Sequence, residues 1–254
     1  MRIAVKIAYL GKNFCGSQIQ PGKKTVAGDI LSDITEIQGE LDADLKLAGR
    51  TDKGVNALGN VAVLSSTMEP KRLLKALNAV SKDVFYCSFA VVNDDFNPRH
   101  ANERVYRYTL KEKGLNVNVL KECAALFTGE HDFRSFCKKD ERSTVVDMRS
   151  VTVLERNGRV AIEFRADHFL WNLIRRIVSA MTAAASGRTS ADNIKDALNG
   201  KNVSFGLAPP EPLTLIDVIY DGIEFTDMQC SHDRIEDRTF SLSLEVDFYD
   251  ELNR

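Results

Sequence analysis

The chain has 254 residues, of which 44% are hydrophobic and 28% are charged, and its formal net charge is −2. This composition is typical of a soluble globular protein with one large domain or two smaller ones. No apolar run is long enough to span a bilayer and no signal peptide precedes the first strand, so the sequence predicts a cytoplasmic protein. The small net charge gives no general attraction for nucleic acid, and an RNA partner would have to bind a local basic surface.

The sequence also argues against several kinds of site. The five cysteines are scattered and form no C-x-x-C pair, which favours reduced thiols over a disulfide or zinc framework. The four histidines lack the spacing of metal ligands, and no phosphate-binding loop of the P-loop or dinucleotide type is present. Metal chemistry and dinucleotide chemistry are therefore not predicted.

Hydrophobic periodicity predicts six elements in the first hundred residues. Gly39 is placed to end the first helix, and Pro70 is placed to begin the second. The elements are a strand over 2–10, a helix over 26–38, strands over 44–48 and 60–66, a helix beginning at 70, and a strand over 84–92. Their order is βαββαβ.

The same order is predicted for the rest of the chain. Asn157-Gly158 is a two-residue turn signal that predicts a hairpin, and Ser190 is placed to cap a short extra helix. The elements are a strand over 105–111, a helix over 117–127, hairpin strands over 144–155 and 159–167, a helix over 169–186, a strand over 214–220, a polar segment over 221–237 and a last strand over 240–248.

These elements predict an α+β fold made of two ferredoxin-like (βαββαβ) lobes. The strands alternate between apolar and polar residues, which favours a shared central antiparallel sheet with helices on one face. That arrangement leaves a cleft between the lobes for a ligand. We expect an N-terminal lobe over 1–100 and a C-terminal lobe over 101–254, separated near Asn97-Pro98.

Residues 49–59 form a glycine-rich turn that carries Arg50, Asp52 and Lys53. A hairpin needs a glycine, but it does not need this density of charge. Asp52 taken alone is more often a turn former than a catalytic group. Flanking cations would keep its carboxylate ionised, and an ionised carboxylate facing a cleft can act as a nucleophile or stabilise a cation. No second acid lies in a comparable setting, which argues against simple glycoside hydrolysis.

Two further candidates lie in the second half. Tyr106 and Tyr108 share one face of a predicted strand, with Arg107 on the other face. Tyrosines interleaved with cations can stack on nucleobases beside phosphates, although a strand with two core tyrosines is at least as common. Arg175 falls on the polar side of the helix predicted over 169–186, where a solvated arginine is the usual case.

The turn reads G-R-T-D-K-G-V over residues 49–55, and this resembles the G-R-T-D-x-G-V signature of the tRNA pseudouridine synthase A family. Ser17 stands where the family has Trp, and Asn56 stands where its bacterial members have His. Neither departure affects Asp52, Tyr106 or Arg175. Segments similar to the family's other motifs follow in the same order, at 9–18, 94–99, 106–108, 132–136, 169–175 and 208–215.

The resemblance implies an enzyme that isomerises uridine to pseudouridine in tRNA, on the 3′ side of the anticodon stem-loop at positions 38–40 of tRNA. Asp52 would attack C1′ of the nucleotide, or assist departure of the uracil through a glycal-type intermediate, and both routes stay open. Arg175 would pair with Asp52 and keep it ionised. Tyr106 would stack on the uracil and could take the C5 proton. Arg50 would help draw the nucleotide out of the stack.

The resemblance implies no cofactor and no metal, because nothing is oxidised or added in the reaction. It implies tRNA and a second copy of the chain, in a homodimer, as partners, with no DNA and no membrane. Two alternatives stay open. One is a catalytically silent RNA-binding module of the same fold, and the other is an enzyme acting on a small anionic ligand.

Overall fold

A computed structural model of the chain describes residues 1–39, 44–112, 114–138, 143–156, 158–201, 203–228 and 232–252. The strands within these ranges are β1 Arg2–Tyr9, β2 Lys46–Leu47, β3 Asn56–Ser65, β4 Val84–Val92, β5 Glu103–Thr109, β6 Gly129–Asp132, β7 Val145–Arg156, β8 Arg159–Ala166, β9 Leu213–Ile219 and β10 Thr226–Asp227. The α-helices there are α1 Val26–Gln38, α2 Pro70–Val80, α3 Val117–Leu126, α4 Leu173–Ala185, α5 Ala191–Leu198 and α6 His232–Leu252. The predicted α+β class is confirmed.

All ten of these strands belong to one sheet, in the order β10-β4-β1-β3-β9-β5-β8-β7-β6, with β2 paired to β3 off this path. Strands of the first half therefore follow the order β4-β1-β3-β2, and strands of the second half follow the order β9-β5-β8-β7. The pairings within each half are antiparallel. The halves join where Asn56 and Ala57 of β3 pair in parallel with Thr214 and Leu215 of β9.

Local sequence accounts for where the helices begin. The Thr25 side chain accepts a hydrogen bond from the Gly28 amide at the start of α1, and the Ser190 hydroxyl accepts one from the Asn193 amide at the start of α5. Such caps satisfy amides that have no partner inside the helix. The bounds of α1 and β4 are those predicted, and the cap predicted at Ser190 is confirmed.

A continuous apolar core lies between the sheet and the helices. Ile7 on β1, Ile30 on α1 and Leu74 on α2 are fully buried in it. A second part of the core is aromatic, where Phe127 packs edge-on against Phe136 with ring centroids 5.2 Å apart. In the described part of the chain, no helix combines the length and the apolar character that crossing a bilayer requires.

The predicted last strand over 240–248 is wrong, because these residues lie within α6. On a helix, alternate residues do not share a face, so these residues cannot form one buried surface as they would on a strand. Four of the apolar side chains are at least 49% exposed: Phe240, Leu242, Leu244 and Val246. The edge of β4 is taken by β10 instead, and Arg238 anchors α6 beside that edge by donating to the Lys82 carbonyl at 2.5 Å.

Other differences concern the ends of elements. Helix α4 begins at Leu173 and not at 169, because Asn172 adopts a left-handed backbone with φ of 66°. Strand β3 begins four residues earlier than predicted, and β2 is only two residues long. Strand β6 was not predicted, since its sequence G-E-H-D has no strand pattern. Of the predicted turn pair, Gly158 has φ of 69°, and Asn157 lies outside the described residues.

Candidate active site

The charged turn connects β2 to β3, beside the junction of the two halves. Gly54 has φ of 88°, a conformation that L side chains rarely adopt, and the Val55 amide donates to the Asp52 carbonyl at 3.1 Å. Gly11 lies against the turn so closely that a Cβ there would come within 2.3 Å of the Val55 carbonyl oxygen. Glycine is therefore required at both positions for the turn to keep this shape.

Buried hydrogen bonds fix the backbone on either side of Asp52. The Tyr9 hydroxyl lies 2.8 Å from the Thr51 hydroxyl and accepts from the Asn60 amide group at 3.1 Å. Ser17 bonds twice to Thr51, since its hydroxyl accepts from the Thr51 amide and its own amide donates to the Thr51 carbonyl. Asn60 also holds both backbone groups of Gly49. These hydrogen bonds leave few alternative conformations to the backbone that carries the Asp52 carboxylate.

Asn56 connects the turn to the second half. It is the residue that stands where bacterial members of the resembling family have His. Its side-chain oxygen accepts from the Gly11 amide at 2.9 Å, and its side-chain nitrogen donates to the Glu211 carbonyl at 2.8 Å. The difference between Asn and His at this position therefore affects a residue that supports the turn through hydrogen bonds.

The wall facing the turn is built around Arg104. Its guanidinium donates to the carbonyls of Ala48 at 3.1 Å and Arg99 at 2.9 Å, and also to the Asp167 carbonyl. These carbonyls come from three separate segments: the entry to the charged turn, the loop before β5, and the loop between β8 and α4. One buried cation thus ties together three edges of the site.

Tyr106 lies on the same face of β5 as Arg104, two residues further on. It is buried, and the Phe169 ring packs edge-on against it with centroids 5.1 Å apart. Burial raises the pKa of Tyr106, and the phenol therefore stays protonated at neutral pH. Tyr108 is buried as well, while Arg107 pairs with Glu163 on the other side of the strand, as the alternation predicts.

Arg175 projects from the first turn of α4 toward the charged turn. One of its terminal nitrogens lies 3.8 Å from an oxygen of Asp52. Its Nε donates to the Ala208 carbonyl at 2.7 Å, and its terminal nitrogen also donates to the Asn172 side chain at 3.3 Å. The side chain is 15% exposed, so Arg175 does not take the solvated position that is usual for a helical arginine. Among the described residues, Arg175 is the cation within ion-pair distance of Asp52.

The four residues singled out in the sequence all line one cleft of about 940 Å³. Asp52, Tyr106 and Arg175 lie along its walls, and Arg50 is exposed at its edge. The Asp52 side chain is 38% exposed and so remains open to a ligand. A carboxylate, a cation and an aromatic ring thus share one opening, although Asp52 and Arg175 lie 123 positions apart in the sequence.

Sequence reasoning missed two contributors to this site. Arg104 belongs to no motif. It lies two residues before Tyr106, and this spacing was the sign in the sequence that both side chains are on one face of the strand. Phe169 falls within the motif segment 169–175, but its packing against Tyr106 joins the loop after β8 to β5, and no local pattern relates these two segments.

Comparison with known proteins relates the chain to a class of RNA-modifying enzymes. A family model described as tRNA pseudouridine synthase matches residues 123–221. The tRNA pseudouridine synthase A of Pyrococcus abyssi is 43% identical over 229 residues, covering 89% of this chain and 87% of that protein. The enzyme of the same name from Pyrococcus furiosus is 40% identical, with 89% and 86% covered, and that of Archaeoglobus fulgidus is 34% identical, with 94% and 92% covered.

These relatives are isomerases that modify RNA. The chain belongs to the tRNA pseudouridine synthase A family. A solved structure, the crystal structure of a Cbf5-Nop10-Gar1 complex, is 14% identical with a TM-score of 0.33, over 71% of this chain and 44% of that chain. A likeness at that level carries no argument about this site.

Proposed function

We propose that this chain isomerises uridine to pseudouridine in the anticodon stem-loop of tRNA, on its 3′ side. The observation that carries the proposal is the approach of Arg175 to Asp52, 3.8 Å apart in the cleft that also holds Tyr106. Membership of the tRNA pseudouridine synthase A family supports tRNA as the substrate. The location within the stem-loop rests on the resemblance of the sequence motifs.

Asp52 is the residue to which we assign the chemistry. The N1–C1′ bond of the nucleotide breaks, the uracil turns and C5 bonds to C1′. The C5 proton is lost and N1 gains a proton, so the product is an isomer of the substrate. Asp52 either attacks C1′ or assists departure of the uracil, and both routes need an ionised carboxylate. The guanidinium of Arg175, 3.8 Å away, places a positive charge beside that carboxylate.

Tyr106 and Phe169 form the surface on which we place the uracil. A detached base must be held while it turns, and edge-on aromatic packing gives that surface a fixed orientation. The raised pKa of Tyr106 keeps its phenol protonated, and a neutral phenol is a poor proton acceptor. We therefore assign Tyr106 to stacking in preference to removal of the C5 proton.

Arg50 is assigned to extraction of the nucleotide. Enzymes that act on a base in a folded RNA must take it out of the stack, and a side chain can fill the space that it leaves. Arg50 is exposed at the edge of the cleft and is carried by the same rigid turn as Asp52. It is therefore positioned to enter the RNA as the uridine enters the cleft.

We also propose that residues 1–100 and 101–254 are two ferredoxin-like lobes, with the cleft between them. The repeated strand orders β4-β1-β3-β2 and β9-β5-β8-β7 support this division. The homodimer and the cytoplasmic location stay predictions from the sequence.

The test uses purified full-length protein and unmodified tRNA transcripts with a uridine at each of the positions 38–40. Pseudouridine-specific chemical labelling should reveal product at one or more of these positions without an added cofactor or metal. Product elsewhere in the tRNA would overturn the assigned location. Tight tRNA binding with no product would instead support the silent RNA-binding module.

A thermal-shift comparison addresses the remaining alternative. Transcript should raise the unfolding midpoint, because a ligand that binds only the folded state stabilises it. Stabilisation by small phosphorylated metabolites and not by tRNA would favour the small-ligand enzyme.

A further inference from the structure

Trp171 is the one tryptophan of the chain, and the proposed function gives its side chain no role. It lines the same cleft as Asp52 and Tyr106, yet 48% of its surface is exposed. An indole exposed at the edge of a binding cleft offers a large apolar face with a polar N–H group to a ligand.

A cation supports the indole from one side. The ammonium group of Lys138 lies 4.1 Å from the centroid of the Trp171 ring, within the range of a cation–π interaction. The Lys138 amide also donates to the Trp171 carbonyl at 3.0 Å. The ammonium group lies over the ring, the backbone bond holds the two segments together, and 48% of Trp171 stays exposed.

The backbone between β8 and α4 explains why the ring points outward. Phe169 turns into the cleft to pack against Tyr106. Two residues later, Trp171 precedes Asn172, whose left-handed backbone redirects the chain into α4. The segment therefore presents one aromatic ring to the interior of the cleft and a second ring to its edge.

We propose that Trp171, supported by Lys138, stacks on an unpaired base of the RNA that lies next to the target uridine. This inference rests on the proposed function and adds a second base-binding position to it. Every nucleobase has a π-face, so stacking on an exposed indole binds an unpaired nucleotide whatever its sequence. Lys138 then lies near the phosphate of the same nucleotide.

The charge of the cleft favours RNA over a protein segment as the occupant of this position. Five cations line the cleft, while its acids are limited to Asp44 and Asp52 among the lining residues described. The cations are Lys46, Arg50, Arg99, Arg104 and Arg175. A polyanion with exposed bases complements both the aromatic ring and this excess of positive charge.

The single tryptophan makes binding directly measurable by fluorescence. The Asp52→Ala variant, which we expect to bind without turnover, is titrated with an unmodified tRNA transcript and with a blunt RNA duplex of the same stem sequence. We expect the transcript to quench the indole emission in a saturable manner and the duplex to leave it nearly unchanged. Equal quenching by both RNAs, or none by the transcript at binding concentrations, would overturn the proposal.

Two substitutions of Trp171 distinguish stacking by an aromatic ring from contact with any apolar side chain. Trp171→Leu keeps an apolar side chain without a ring, and we expect it to raise KM for tRNA about tenfold with little change in kcat. Trp171→Phe keeps a ring and should stay within about twofold of the unsubstituted protein. Val91→Ala, which removes an exposed apolar surface from β4 outside the cleft, should leave KM unchanged.

The outcomes distinguish this proposal from the proposed function. If the unsubstituted protein forms pseudouridine and Trp171→Leu has the same KM, the base-binding position is wrong and the function stands. If the unsubstituted protein forms no pseudouridine, the function itself fails. Equal losses in Trp171→Leu and Trp171→Phe would mean that the ring is not what binds the RNA.

Discussion

The two walls of the cleft are held in different ways. On the Asp52 side, buried hydrogen bonds among Tyr9, Ser17, Thr51 and Asn60 fix the backbone. On the facing side, Tyr106 lies on β5 and Arg175 on α4, beside loops tied to Arg104. Arg175 approaches Asp52 at 3.8 Å, which is longer than a hydrogen bond. The first wall is thus fixed by hydrogen bonds within itself, whereas this contact between the two walls is an ion pair without a hydrogen bond.

This difference fits the order of events that the reaction requires. The group that acts at C1′ has to be in place before the substrate arrives, and preorganisation of this kind is a main source of catalysis. The uracil must detach and turn, so the wall that holds it needs some freedom. Substitutions among the hydrogen-bonding residues that support Asp52 should therefore reduce stability, and substitution of the residue that approaches Asp52 across the cleft should reduce activity.

The largest effect is expected for Arg175→Gln, which removes the cation beside Asp52. We expect kcat to fall by about 10²- to 10³-fold, as when an electrostatic contact in an active site is lost, with the unfolding midpoint nearly unchanged. Single-turnover pseudouridine formation measures the loss. Arg176→Gln on the same helix is the matched control, because Arg176 does not line the cleft. Equal rates in the two variants would contradict the role of Arg175.

Arg104→Lys should affect both stability and activity. A lysine keeps the charge but cannot donate to three carbonyls from one planar fork. We expect a loss of about 1–3 kcal/mol in the free energy of unfolding, from buried carbonyls left without donors. The rate should fall about tenfold, since a small misplacement of a wall can cost up to a hundredfold. Unfolding in denaturant measures the loss of stability. A lower free energy of unfolding together with an unchanged kcat would mean that Arg104 is a purely structural residue.

Two tyrosine-to-phenylalanine substitutions compare the walls directly. Tyr9→Phe removes the partner of the Thr51 hydroxyl and one of the two acceptors of the Asn60 amide nitrogen, and should lower the free energy of unfolding by about 1–3 kcal/mol. Tyr106→Phe removes a hydroxyl that makes no hydrogen bond among the described residues, and should leave stability nearly unchanged. Urea unfolding of both variants checks this contrast, and the reverse ranking would refute it.

The smallest effect concerns pH. Because burial raises the pKa of Tyr106 above its ordinary value of about 10, its phenol stays protonated between about pH 6 and pH 9. The pH–rate profile should therefore show no rise or fall caused by ionisation of Tyr106 in that range. The pH–rate profiles of the unsubstituted protein and of Tyr106→Phe should have the same shape. A basic limb that disappears in Tyr106→Phe would restore this residue as the proton acceptor.

Much of the fold was predictable because it depends on local patterns. Alternation predicted β1, an apolar run predicted β4, helical periodicity predicted α1, and the cap at Ser190 predicted the start of α5. The same alternation was misleading over 240–248, since a strand also needs a free neighbouring edge and β10 occupies that of β4. Periodicity describes which face a side chain would take, but it does not say whether a partner strand exists.

The site was less predictable from its residues alone. Judged by itself, Asp52 was more consistent with a turn former, and Tyr106 with a core tyrosine. The resemblance to a family supplied their roles, and the structure brings Asp52, Tyr106 and Arg175 to one cleft. Their proximity depends on the parallel pairing of β3 with β9 and on the backbone of Asn172. Neither is encoded by a short motif.

The central claim is that the carboxylate of Asp52 carries the reaction. The most direct measurement is single-turnover formation of pseudouridine by Asp52→Asn, with enzyme in excess over tRNA and with tRNA affinity measured in parallel. Asparagine keeps the shape of the side chain and removes its charge. We expect no detectable pseudouridine together with nearly unchanged tRNA binding. Product formed by Asp52→Asn at the rate of the unsubstituted protein would contradict the claim.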